Sequence, residues 1–123
     1  MRLSDAEWTV MDAVWDAGCP VRAREVHGAV AARSRWAYTT VRTLLDRLER
    51  KGALRADRAG RTTLYAAALT RQAARRSALR SLLERAFDGA AAPLLRFVVE
   101  ERALSRKERL DLARLLRAAK GRR

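Results

Sequence analysis

Threonine and arginine carry the distinctive chemistry of this chain, and they concentrate in one segment. Thr39, Thr40, Arg42, Thr43 and Arg47 fall within YTTVRTLLDR; Arg35 lies just before them, and Arg58 and Arg61 a little after. A threonine hydroxyl can bond a phosphate or a base edge, its methyl can meet a thymine methyl, and arginine forks onto guanine. Threonine is a middling helix former, so three in this short span serve helix stability poorly and a nucleic-acid surface well. Other site chemistry is missing. Cys19 and His27 are the single cysteine and the single histidine, which excludes an internal disulfide and a metal-ligand cluster. There is no glycine-rich phosphate loop, no Ser/His/Asp set and no Cys/His nucleophile pair. The carboxylates fall mostly on helix starts or beside arginines. No enzyme activity, cofactor or metal site is expected.

These side chains need elements to position them, and the apolar spacing supplies candidates. Tyr38, Val41, Leu44, Leu45 and Leu48 recur at helical spacing, predicting a helix near Thr39 to Lys51 whose other faces carry the threonines and arginines. Gly52 closes it. Leu54 and Ala56 then alternate with Arg55 and Asp57, predicting a hairpin that turns at Ala59-Gly60 with Arg58 and Arg61 flanking its tip. Upstream, Ser4 and Glu7 form the signature of a capping box for a first helix carrying Trp8, Met11, Val14 and Trp15, ended by Gly18 and Pro20. Cys19 in that turn reads as a small filler. A shorter helix near Ala23 to Ala32 follows, then a turn through Ser34-Arg35-Trp36. Helix, helix, reading helix, hairpin is the order of a winged helix-turn-helix.

The charge agrees with a polyanionic partner. The 123 residues hold 27 Lys and Arg against 14 Asp and Glu, a net of +13, and double-stranded DNA is the first candidate. Residues 1–32 carry a net −2, residues 33–66 a net +6 and residues 67–123 a net +9. The excess therefore extends beyond the proposed reading unit. At 49% hydrophobic residues a real core is possible. No run approaches the roughly 18 apolar residues of a membrane span, and no secretory signal opens the chain. A cytoplasmic protein with no membrane partner is expected.

From Thr70 the pattern changes to helices with short breaks. Thr70 can cap a helix carrying Leu79, Leu82, Leu83 and Phe87, which stops at Asp88-Gly89. Pro93 opens a second near Leu94, Leu95 and Val98. Ser105 and Glu108 form another capping box, ahead of Leu110 and Leu116. Three short helices can bury little shared core. Pairing of these apolar faces with a second copy, as a twofold homodimer, is the economical solution. The fold class is thus mainly α with a small β-hairpin wing. Residues 1–67 form a winged-helix DNA-binding domain and residues 68–123 a helical dimerisation domain.

With these residues in hand, the chain resembles the penicillinase-repressor family of winged-helix regulators, which includes repressors of β-lactamase genes and copper-responsive repressors. The matching segments are LSDAEWTVMDAVW, REVHGAV, YTTVRTLLDRLERKGAL, GRTTLYAA, LLERAFDG and LSRKERLDLARLL, in order over almost the whole chain. The resemblance implies a homodimer that represses transcription by occupying an inverted-repeat operator. It also implies a sensor protease system as a partner, because several members are released when their C-terminal helices are cut. Three positions depart from the family pattern. No cysteine follows Cys19, so the copper cluster of some members is absent. Leu95-Arg96-Phe97-Val98-Val99 lacks the Asn-Phe bond at which the β-lactamase repressors are cut. Ala23 stands where members often have a capping threonine, a change expected to weaken that helix start by roughly 1 kcal/mol.

The reading is a sequence-specific dimeric repressor. Its proposed DNA contacts are the threonines and arginines above, and its dimer contacts are Leu79, Leu82, Leu83, Phe87, Leu94, Leu95, Val98, Leu110 and Leu116. Cleavage within Pro93 to Arg102 is the expected release route. The alternative is a sequence-indifferent nucleic-acid-binding or architectural protein, which the basic C-terminal half would suit.

Overall fold

The structure, a computed structural model, describes residues 1–101 and 104–120. Among these residues it is mostly helical, with one two-stranded hairpin. Two compact units make up the chain, the first spanning Met1–Leu79 and the second beginning at Arg80.

The first unit opens with α1 (Asp5–Ala17), α2 (Ala23–Val30) and α3 (Tyr38–Lys51). Ser4 caps α1 as its sequence requires: Glu7 N–H donates to Ser4 Oγ at 3.2 Å and Ser4 N–H to Glu7 Oε1 at 2.8 Å. Gly18 ends α1 and Gly52 ends α3, each in the left-handed region at φ 68° and 86°, a conformation that glycine adopts without a Cβ penalty. The start of α2 differs from expectation. Arg22, not Ala23, is the cap residue, and Ala23 is buried in the first turn. Glu25 reaches back to accept from the Arg22 N–H at 2.9 Å. Arg22 makes no side-chain cap bond, so the missing oxygen cap falls one residue before the expected position.

Strands β1 (Leu54–Asp57) and β2 (Leu64–Ala67) pair antiparallel, Leu54 opposite Ala67 and Asp57 opposite Leu64. Val21 bridges to Tyr65 in both directions, at 2.7 and 2.9 Å, and adds the segment after α1 to the open side of β2. Helical and strand periodicities converge on one core: Val10, Met11 and Val14 from α1, Val26 and Val30 from α2, Val41, Leu45 and Leu48 from α3, Leu54 and Tyr65 from the hairpin. Each such Val or Leu contributes about 1.5–3 kcal/mol on burial. The exposed face of α3 therefore rests on a rigid back.

Helix α4 (Arg71–Ala86) crosses into the second unit. Thr70 Oγ1 accepts from Ala73 N–H at 3.1 Å, the expected cap. The root of α4 belongs to the first unit: Ala74 is buried, Arg71 pairs with Asp16 at 2.7 Å, and its guanidinium lies 5.2 Å from the Trp15 ring centroid. Trp15 Nε1–H also donates to the Leu69 carbonyl at 2.9 Å, and its ring meets Trp8 edge-on. Both tryptophans are thus packing residues. Cys19 lies in the expected turn but is exposed, so it fills nothing.

The second unit contains the rest of α4, then α5 (Ala91–Glu100) and α6 (Arg106–Lys120). Asp88 and Gly89, both at positive φ, turn the chain after α4. Pro93 sits inside the first turn of α5, where its missing N–H costs nothing. Ser105 and Glu108 close the expected box on α6 at 2.9 and 3.1 Å. The segment Pro93 to Arg102, the expected cleavage region, falls mostly within α5, the helix expected near Leu94; Arg102 lies outside the described residues. Among the described residues, no helix is long and apolar enough to cross a membrane.

Candidate nucleic-acid interface

The interface is built around the exposed side of α3. Its start is fixed by α2: His27 Nε2–H donates to the Trp36 carbonyl at 2.9 Å, the His27 ring meets Tyr38 edge-on, and the Arg24 guanidinium lies 5.0 Å from the Tyr38 ring centroid. Tyr38 was expected on the core face. It packs against that core as expected but stays half-buried, at the edge of the apolar stripe where α2 covers it. With Val41, Leu44, Leu45 and Leu48 buried, the helical repeat turns Thr39, Thr40, Arg42, Thr43 and Arg47 to solvent, and all five are exposed. Arg35 is exposed in the turn before α3.

Local geometry refines what these groups can do. Thr43 Oγ1–H donates to the Thr39 carbonyl one turn back, at 3.0 Å. Its hydrogen is occupied within the helix, leaving an acceptor oxygen and a methyl for a ligand. Arg50, which the sequence reasoning passed over, is exposed on the same side as Thr39 and Thr43. The spacing that grouped those threonines, carried one more turn, would have found it.

The wing separates its two tip arginines. Arg61 is exposed beyond the Ala59-Gly60 turn. Arg58 turns back to α3 and forks onto Glu49, Nη1 to Oε2 at 2.8 Å and Nη2 to Oε1 at 2.6 Å. The guanidinium holds the Glu49 carboxyl below its ordinary range. Asp57 Oδ1 accepts from the Ala59 N–H at 2.9 Å and shapes the turn. Beneath the hairpin Tyr65 is fully buried, its hydroxyl without a partner among the described residues, and burial pushes the phenol up.

A second electrostatic feature ties α1 to the end of α3. Glu7 is 1% exposed, and Lys51 Nζ donates to its Oε1 at 2.7 Å and to the Arg2 carbonyl at 2.9 Å. Burial works to raise the Glu7 carboxyl, but the bonds from Lys51 and Ser4 outweigh it and leave it below the ordinary value.

The apolar residues expected to pair in the C-terminal helices are unburied. Leu79, Leu82, Leu95, Leu110 and Leu116 are exposed, and Leu83, Phe87, Leu94 and Val98 are half-buried. Among the described residues from Arg80 onward, none is buried. No group of acidic, cysteine or histidine side chains able to hold a metal occurs among the described residues.

Comparison with known proteins places this geometry. The family model described as penicillinase repressor matches residues 3–118. The penicillinase repressor of Bacillus licheniformis is 29% identical over 121 residues, covering 98% of this chain and 94% of that protein. The transcriptional regulator BlaI of Mycobacterium tuberculosis is 48% identical over 63 residues, 49% of this chain and 46% of that protein. Among solved structures, the DNA-binding domain of the repressor BlaI superposes with a TM-score of 0.52 at 32% identity, over 58% of this chain and 87% of that one. The monomeric form of Bacillus licheniformis BlaI in complex with the blaP half-operator gives 0.51 at 32% identity, over 59% and 88%.

Proposed function

The chain belongs to the penicillinase repressor family of DNA-binding transcriptional regulators, and on that premise we propose that it represses transcription as a homodimer on an inverted-repeat operator. The observation that carries the reading is the exposed threonine and arginine face of α3, backed by a buried core and flanked by a basic wing. Thr39, Thr40, Arg42, Thr43 and Arg47 supply base and phosphate contacts in the major groove. Arg35 and Arg61 lie against backbone. Phosphate neutralisation supplies most of the affinity and the α3 side chains the specificity. The binding of a BlaI monomer to a half-operator supports one winged helix per half-site.

Pairing rests on the second unit, whose leucines are left in water by a single chain. Two linked half-sites then gain from effective concentration. Release by a sensor protease system is the remaining part of the proposal. Because Phe97 lies within α5, cleavage there requires that helix to open locally first, so induction couples to its stability.

The test is competition. The full chain should hold a selected duplex against excess random duplex at moderate salt. Equal affinity for both would leave the architectural reading, which the net +9 of residues 67–123 favours.

A further inference from the structure

The base and the tip of the wing are held by different means. At the base, Ala53 N–H bonds the Leu48 carbonyl, Ala68 and Leu69 N–H bond the Ala53 carbonyl, and Val21 bridges to Tyr65. Beyond Asp57 and before Leu64 there is no strand pairing. Two side-chain features shape that tip: the Asp57 turn onto Ala59, and the Arg58–Glu49 fork. Of these two features, the fork is the one that reaches α3.

Two N–H···O bonds in one plane restrict both the distance and the angle between their parents, which a single-point ion pair does not. The fork is solvent-accessible, with side-chain exposures of 55% for Arg58 and 28% for Glu49. An exposed pair adds little to global stability, so its consequence is geometric. It fixes where the wing tip stands relative to the reading helix.

We infer that Glu49 and Arg58 are positioning residues for DNA recognition: their fork sets the pose of the wing, and Arg58 does not itself neutralise a phosphate. This rests on the DNA-binding reading above. It assigns a favourable role to an acidic residue on the reading helix, where repulsion of phosphate would ordinarily make a carboxylate unfavourable. The phosphate contact at the tip passes to Arg61.

The sign of one substitution separates the cases. The probe is a duplex selected from a random pool by the full-length chain. Glu49→Gln should weaken binding to it by roughly two- to fivefold, the yield of an exposed pair. Arg58→Gln should weaken it similarly, and the double variant should be no worse than either alone, because both remove the same interaction. The slope of log K against log salt should stay unchanged in all three. If Glu49→Gln tightens binding, or Arg58→Gln lowers the slope by about one unit, Arg58 is a phosphate contact and the inference falls.

A second measurement needs no DNA. Amide exchange at Ala59, whose N–H is held by Asp57, should accelerate in both single variants while the α1–α3 core stays protected. Unchanged exchange would also overturn the inference. If the wild-type chain selects no duplex at all, the repressor reading fails, and the exchange experiment still decides whether the fork orders the wing.

Discussion

Because Thr43 directs its hydroxyl hydrogen to the Thr39 carbonyl, a base beside it meets a methyl and a lone pair. Thr43→Ala should then cost about 1–3 kcal/mol on the selected duplex and little on random DNA. Thr43→Val, which keeps the methyl, should recover most of the loss if the contact is to a thymine methyl; titration of both variants against both duplexes checks this. Arg42→Ala should behave like Thr43→Ala if its guanidinium reads a base, and should lose affinity equally on both duplexes if it touches only phosphate. The Glu7–Lys51 pair makes a different prediction. Lys51→Ala leaves a buried carboxylate short of a donor, at a cost of about 1–3 kcal/mol in denaturant unfolding. The folded Glu7 carboxyl lies below its ordinary value of 4.5. Its contribution is therefore complete above that pH and is lost as pH falls through the lower folded value. Glu7→Gln should flatten the acid limb of a stability profile. A limb as steep as in the wild type would show that other carboxylates dominate it.

At the scale of elements, the wing offers a sharp comparison. Arg61→Ala should lower the salt slope by about one unit, as expected of one lost phosphate contact; a slope equal to the wild type's would mean that the tip points away from DNA. The sequence makes the two tip arginines look alike, and the fold separates them. Capping boxes at Ser4 and Ser105 were legible because donor and acceptor lie three residues apart on one helix. The core face of α3 was legible because its burial follows the 3.6-residue repeat. The Arg58–Glu49 fork was not, since its partners lie nine positions apart across helix end, turn and strand, and the path of the hairpin brings them together. Tyr38 was legible as part of that face, but its covering by α2 was not, because periodicity assigns a face and a neighbouring element decides what covers its edge. The same holds for α2 itself, where the cap fell one residue before the expected position and Glu25 supplied the closing bond.

For the whole molecule, the decisive quantity is mass in solution. At micromolar concentration the full chain should sediment at about twice the chain mass if its exposed leucines pair. Replacing Leu110 and Leu116 by Asp should shift it towards the monomer and weaken operator binding while leaving binding to a half-site intact. A chain that stays monomeric at high concentration would remove the dimer. Truncation should respect the root of α4: residues 1–79 should melt higher than residues 1–67, which lose Ala74 and the Arg71–Asp16 pair. This boundary was hidden from the sequence because α4 runs through it without a break. The packing of Trp15 also gives the protein a spectroscopic reporter of its own. Its indole N–H is hydrogen-bonded at Leu69, and a guanidinium lies over its ring. Undocking of the α4 root would hydrate the indole and shift its emission to the red. Unlabelled protein could then be followed by fluorescence alone, with Trp15→Phe identifying which of the three tryptophans gives the signal.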